Sequence, residues 1–122
     1  MADWAGTIGA ALLLATALVH SWAGERWLIT PLLRRRRDKI LEYPLARAVL
    51  RFAWHFTSAL LAMLALILLS ALHAPDSLQR TVLTTIGIGF TLVGLADLLM
   101  SQGRHVGWPL LLGAGVVTLL AL

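Results

Sequence analysis

No cysteine occurs among the 122 residues, which excludes a disulfide framework, cysteine-ligated zinc, iron–sulfur clusters and thiol chemistry. Charge is also scarce: charged side chains make up 13% of the chain against 59% hydrophobic. A soluble domain carries about 25% charged and about 45–50% apolar residues. A chain of this size has a large surface for its volume, and so few charges could not cover it in water. The composition therefore predicts an integral membrane protein, and the mean hydropathy of +0.83 agrees. Acids are rarer than bases, six against ten, for a net charge of +4. Such an excess points to nucleic acid or to an anionic membrane surface, depending on where the bases fall.

Four apolar runs stand out, at about residues 4–24, 52–74, 82–100 and 106–122. A helix crossing a hydrocarbon core of about 30 Å needs roughly 17–25 residues, so each run is long enough. The runs are rich in Leu and Ala and lack period-2 alternation, so they predict helices and not barrel strands. The fold class expected is all-α, a four-helix transmembrane bundle. Met1-Ala2-Asp3-Trp4 has no basic region ahead of the first run, so that run is expected to be a span and not a cleaved signal peptide. Between the first two runs lies a connector, residues 25–46. Pro31 predicts that the first helix ends or bends near Thr30, and Pro44 suits the first turn of the second.

The bases fall on one side. Four crossings put the connector and the third turn on the same face, which then holds Arg26, Arg34, Arg35, Arg36, Arg37, Lys39, Arg47, Arg51 and Arg104. Arg80 alone lies opposite. This asymmetry predicts a multi-pass protein of a bacterial inner membrane with both termini outside the cytoplasm. Trp22, Trp27, Trp54 and Trp108 fall at the basic end, as an interfacial belt would. Arg34, Arg35, Arg36, Arg37 and Lys39 form a candidate patch for anionic lipid headgroups or an acidic partner surface, each base contributing about 1 kcal/mol. The patch is short, membrane-tethered and free of interleaved aromatics, so nucleic acid is not an expected partner.

At matched depth near the basic end lie His20, Glu25, His55, Asp97 and His105. Ionisable groups inside a bilayer are costly, face the bundle interior and pair. Asp97 has no base three or four positions away, so a cross-helix partner is expected, with His20, His55 or Arg51 nearest by depth. His20 and His55 could serve as axial ligands of haem b, with Arg26 and Arg51 on the propionates. His20, Glu25, His55 and Asp97 alternatively make a nitrogen and oxygen set suited to a divalent metal. No two of these stand at i, i+3 or i+4 on one helix, so neither motif is explicit. An uncofactored cluster could still relay protons, since histidine titrates near neutrality. His73-Ala74-Pro75-Asp76-Ser77 reads as a helix stop and restart in a solvated turn. Small residues in the first, third and fourth runs predict close packing among those helices.

No nucleophile–base–orienter set is explicit in the sequence, and no enzyme activity is expected from it. Three functions remain. The foremost is an accessory or structural subunit, or a regulator, of a larger membrane complex. The second is a cofactor-binding or proton-handling bundle built on the His/Asp/Glu cluster. The third is a small transporter or channel acting as a homo-oligomer; small multidrug-resistance transporters share its length and helix number, but their embedded first-helix glutamate has no counterpart before Glu25. Membrane lipids are partners in every case.

Overall fold

The computed structural model describes residues 3–35 and 38–122, and 91% of it is helical, without strands among the described residues. Helix α1 runs Asp3–Gly24, passes through a π-helical turn at Glu25–Ile29 and continues as α2, Thr30–Arg35. After a 3-10 turn at Lys39–Glu42 comes α3, Pro44–His73, then a second 3-10 turn at Pro75–Ser77, α4 at Leu78–Ser101 and α5 at Gly107–Leu119.

Of the two outcomes expected near Thr30, an end or a bend, the helix does not end at Pro31 but passes it through an irregular turn. The apolar helical stretch is continuous from Trp4 to Arg35, 32 residues. Proline lacks an N–H, and its ring crowds the carbonyl four residues back. The wide π-turn just ahead, closed by the Thr30 N–H on the Glu25 carbonyl, loosens that stretch of the ladder and lets the helix pass through the proline. Helix α3 begins at Pro44, in its first turn as expected, eight residues ahead of the apolar run that starts near residue 52. The approach is fixed by Arg47, whose Nη1 donates to the carbonyls of Leu41 (2.7 Å) and Glu42 (2.9 Å). At the opposite end, α3 stops at His73 and α4 starts at Leu78. His73 is tied there to Thr7 of α1, Nε2 to Oγ1 2.8 Å.

Three helical stretches are long and apolar enough to cross a membrane: Trp4–Arg35, Pro44–His73 and Pro75–Ser101. At 1.5 Å per residue the first two are about 45–48 Å long, so they project beyond a hydrocarbon core of about 30 Å. Helix α5 has 13 residues, about 20 Å. Exposed side chains such as Leu99, Leu110 and Leu120 stud the outside. Apolar surface on that scale is untenable in water and ordinary in lipid.

Each long helix packs on its neighbour in sequence, α1 on α3, α3 on α4 and α4 on α5. Among the described residues α1 makes no substantial contact with α4 or α5, so the helices form an open row. The expected close association of the first run with the third and fourth is therefore corrected. The α1 glycines face α3, where a methyl on Gly6 would strike Leu72 at 2.5 Å. Close approach is concentrated between α4 and α5. A methyl on Gly94 would lie 2.5 Å from the Leu112 backbone nitrogen, and one on Gly115 would overlap Thr91.

Candidate functional site

The spacing of polar residues on two facing helices builds the site. Ser21 and Glu25 are four apart at the end of α1; Arg51 and His55 are four apart on α3, with Ser58 three further on. Residues so spaced share a helix face, and the packing of α1 on α3 turns those faces together. Glu25 Oε1 accepts from Thr30 Oγ1 at 2.6 Å and pairs with Arg51 Nη2 at 2.9 Å. Its Oε2 accepts from Arg51 Nε at 3.2 Å and lies 3.0 Å from His55 Nε2. On the other side of the imidazole, Nδ1 is 2.9 Å from Ser21 Oγ, which is 2.8 Å from Ser58 Oγ. A continuous polar chain thus runs from buried Ser58 through Ser21, His55 and Glu25 to Arg51 at the basic end.

The chemistry of the partners assigns the proton on neutral His55. An ionised carboxylate only accepts, so Nε2 carries the hydrogen and donates it to Glu25. Nδ1 then presents a lone pair to the Ser21 hydroxyl. Adding a second proton reverses that bond: Nδ1–H donates to Ser21, whose own hydrogen turns to Ser58. The chain therefore has two hydrogen-bonded states that differ by one proton.

His20 sits beside this chain and not in it. Its ring stacks on Trp54, centroids 4.2 Å apart and planes 28° apart, and its carbonyl accepts from Trp54 Nε1 at 2.9 Å. The indole fits only because residue 24 is glycine; a methyl there would overlap the ring. The Nε2 atom of His20 is buried without a hydrogen-bond partner among the described residues.

Asp97 lies in a second cluster, between α4 and α5. It is fully buried, 0% exposed, and its Oδ2 is 2.6 Å from Nδ1 of His105. Its partner is thus His105, in the turn after α4, and not His20, His55 or Arg51 as depth suggested. The turn explains this. Gln102 at φ 53° and Gly103 at φ 75° take the left-handed conformation, with the Gly103 N–H on the Leu98 carbonyl at 2.9 Å, and this closure folds His105 back over the helix end. Oδ1 of Asp97 has no hydrogen-bond partner among the described residues. Phe52 separates the two clusters, its ring 6.2 Å from His105 and 5.7 Å from Phe56. His55, Phe52, Phe56, Leu92 and Met100 also border an apolar cleft of about 280 Å³ between α3 and α4.

Of the four candidate metal ligands, then, Glu25 and His55 come together, His20 stands apart against Trp54, and Asp97 pairs elsewhere. Among the described residues no three His, Asp or Glu side chains converge as a metal site. The candidate haem pair fares similarly. Both nitrogens of His55 are engaged, so ligating iron would cost it either Ser21 or Glu25. Arg51 is committed to Glu25, and Arg26 lies 5.9 Å over the Trp22 ring. The residues present do not fit a bis-histidine haem in this arrangement. Of the basic patch, Arg34, Arg35 and Lys39 are exposed at the end of α2 and in the following turn; Arg36 and Arg37 lie outside the described residues.

Ser21, Thr30, Arg51, Ser58 and His105 complete the two clusters, and ligand-type spacing alone did not select them. The i, i+4 pairs Ser21/Glu25 and Arg51/His55 were the available signal. No protein-family model, curated protein or solved structure matches the chain, so the functional reading rests on these residues.

Proposed function

We propose that the chain is a four-span protein of a bacterial inner membrane, both termini outside the cytoplasm, with a proton-handling site centred on His55 at its basic end. The observation that carries the site is the engagement of both imidazole nitrogens, one by an anchored carboxylate and one by a hydroxyl. Ordinary interhelical glue contributes about 0.6 kcal/mol per bond and needs no such order. Here Arg51 and Thr30 hold Glu25, Glu25 sets the tautomer of His55, and His55 faces Ser21 with its base. The four-span topology draws on the nine-to-one distribution of bases, and the apolar stretch 106–122 reaches the lower limit of about 17 residues for a crossing. In this reading Arg34, Arg35, Arg36, Arg37 and Lys39 lie among anionic headgroups.

Nitrogen-15 spectra of histidine-labelled protein test the site. Neutral His55 is expected as the Nε2–H tautomer, and Glu25→Gln is expected to abolish that preference. An Nδ1–H tautomer in the native protein would refute the reading. A C-terminal reporter is expected to read as exported; a cytoplasmic signal would overturn the orientation.

The accessory-subunit reading draws on a different observation, the open row. Among the described residues the outer flanks of α1 and α5 pack substantially on no further helix, which leaves them to meet a helix of a larger complex. Stoichiometric co-purification of a larger membrane protein would favour it.

A further inference from the structure

We propose that Ser21 is a nucleophile toward carboxylic esters of membrane lipids, with His55 as its general base and Glu25 and Arg51 as positioning residues. This rests on the proton-handling reading of the same site and says what the proton transfer serves. An activated serine needs a base lone pair within about 2.6–3.2 Å of its hydroxyl and a third group orienting that base. Ser21 Oγ to His55 Nδ1 is 2.9 Å, and His55 Nε2 to Glu25 is 3.0 Å. The orienter is itself fixed by Arg51 and Thr30. Such a triad is recognised by geometry and roles and not by chain order.

Depth and charge point to the substrate class. Ser21 lies one turn inside the end of the apolar run, where a bilayer holds the ester carbonyls of its lipids. Trp22 and Trp27, exposed beside it, mark the headgroup level. Just beyond, Arg26 is exposed five residues on, about 7.5 Å along the axis, and suits a phosphate. An ester with an apolar acyl chain and an anionic head matches all three levels.

The steps balance. Ser21 Oγ adds to the ester carbonyl carbon while its proton passes to His55 Nδ1. Ser58 Oγ, 2.8 Å from Ser21 Oγ and its acceptor in the resting arrangement, is the hydroxyl that turns to donate to the tetrahedral oxyanion. Collapse breaks the bond to the alcohol oxygen, which leaves with the proton from His55. Water then adds to the acyl-serine, again giving its proton to Nδ1, and the carbon–Oγ bond breaks as Ser21 recovers a proton. The products are a fatty acid and the alcohol.

One hydroxyl is a modest oxyanion site, so the test reads covalent labelling before turnover. The full-length protein in detergent is treated with a long-chain alkyl fluorophosphonate, and the adduct is mapped by mass spectrometry. A single adduct on Ser21 is expected, absent in Ser21→Ala and slowed at least about 100-fold in His55→Asn, the range for general-base removal. Vesicles of phosphatidylglycerol are expected to release fatty acid with the native protein and not with Ser21→Ala. Helical circular dichroism and a monodisperse elution profile establish that each variant is folded. Labelling of Ser21 at the native rate in folded His55→Asn, or no labelling of folded native protein, overturns the proposal. If labelling fails while His55 is the Nε2–H tautomer, the nucleophile falls and the proton-handling site stands. If His55 is the Nδ1–H tautomer, both fall.

Discussion

One close contact between α4 and α5 gives a prediction with its own control. At Gly94 an added methyl would lie 2.5 Å from the Leu112 nitrogen, 2.8 Å from its Cα and 2.9 Å from its Cβ. Carbon contacts settle at about 3.5–4.0 Å, so Gly94→Ala lacks about 1 Å of room. The obstructing atoms belong to the α5 backbone, and no rotamer change removes them. Helix α5 must move as a body, and overpacking of this kind costs about 1–3 kcal/mol. Gly113, one residue beyond Leu112, has nothing within 4 Å of an added methyl. Gly113→Ala is therefore expected to be neutral, or stabilising by up to about 0.8 kcal/mol through helix propensity. Reversible unfolding in mixed micelles with increasing dodecyl sulfate, followed by helical circular dichroism, measures both variants on one scale. The displacement also has a local readout, because α5 begins at Gly107, where an added methyl would meet both His105 and Asp97. Moving α5 disturbs that pair, so the His105 ring nitrogens should shift in Gly94→Ala and stay fixed in Gly113→Ala. Two variants of equal stability, within about 0.5 kcal/mol, would refute the packing of α4 on α5.

Two further outcomes follow from the clusters. Gly24→Ala is expected to expel the Trp54 indole from its seat, breaking the stack on His20 and the bond to the His20 carbonyl; a native position for the Trp54 indole N–H resonance in that variant would refute it. His105→Ala leaves both oxygens of fully buried Asp97 without a partner, a loss of about 1–3 kcal/mol. Asp97→Leu in that background should recover part of it, so a double-mutant cycle is expected to show coupling of about 0.5–3 kcal/mol, and additive behaviour would refute the pairing.

Position along the helices was the coordinate most legible in the sequence. Helices are one-dimensional objects in hydropathy, and the apolar runs located the four helical segments. The same count placed His20, Glu25, His55, Asp97 and His105 at one end. Helix ends were less legible. Pro31 argues locally for a stop, and what lets the helix pass it is a π-turn, which leaves no residue signature of its own. Azimuth was not legible at all, because it depends on which helix packs on which. A closed bundle would bring α4 beside α1 and Asp97 within reach of His20. The open row keeps them apart and leaves the adjacent turn to supply the partner.

That difference changes what the cluster at the basic end can do. Four ionisable groups at one depth suggested a shared site, and metal chemistry needs them on one centre. In the row, the carboxylates are divided between two interfaces, Glu25 with His55 and Asp97 with His105, and Phe52 stands between. Each imidazole then answers to a single acid. A carboxylate that faces one imidazole assigns its tautomer and leaves the far nitrogen for something else. For His55 that something is the Ser21 hydroxyl on the facing helix, bonded in turn to the hydroxyl of buried Ser58. The carboxylate facing His105 keeps one oxygen without a partner among the described residues. Similar residue types thus yield an extended hydrogen-bonded chain in one interface and a closed pair in the other. The distinction rests on Ser21, which like Thr30 and Ser58 is a hydroxyl residue that hydropathy treats as filler.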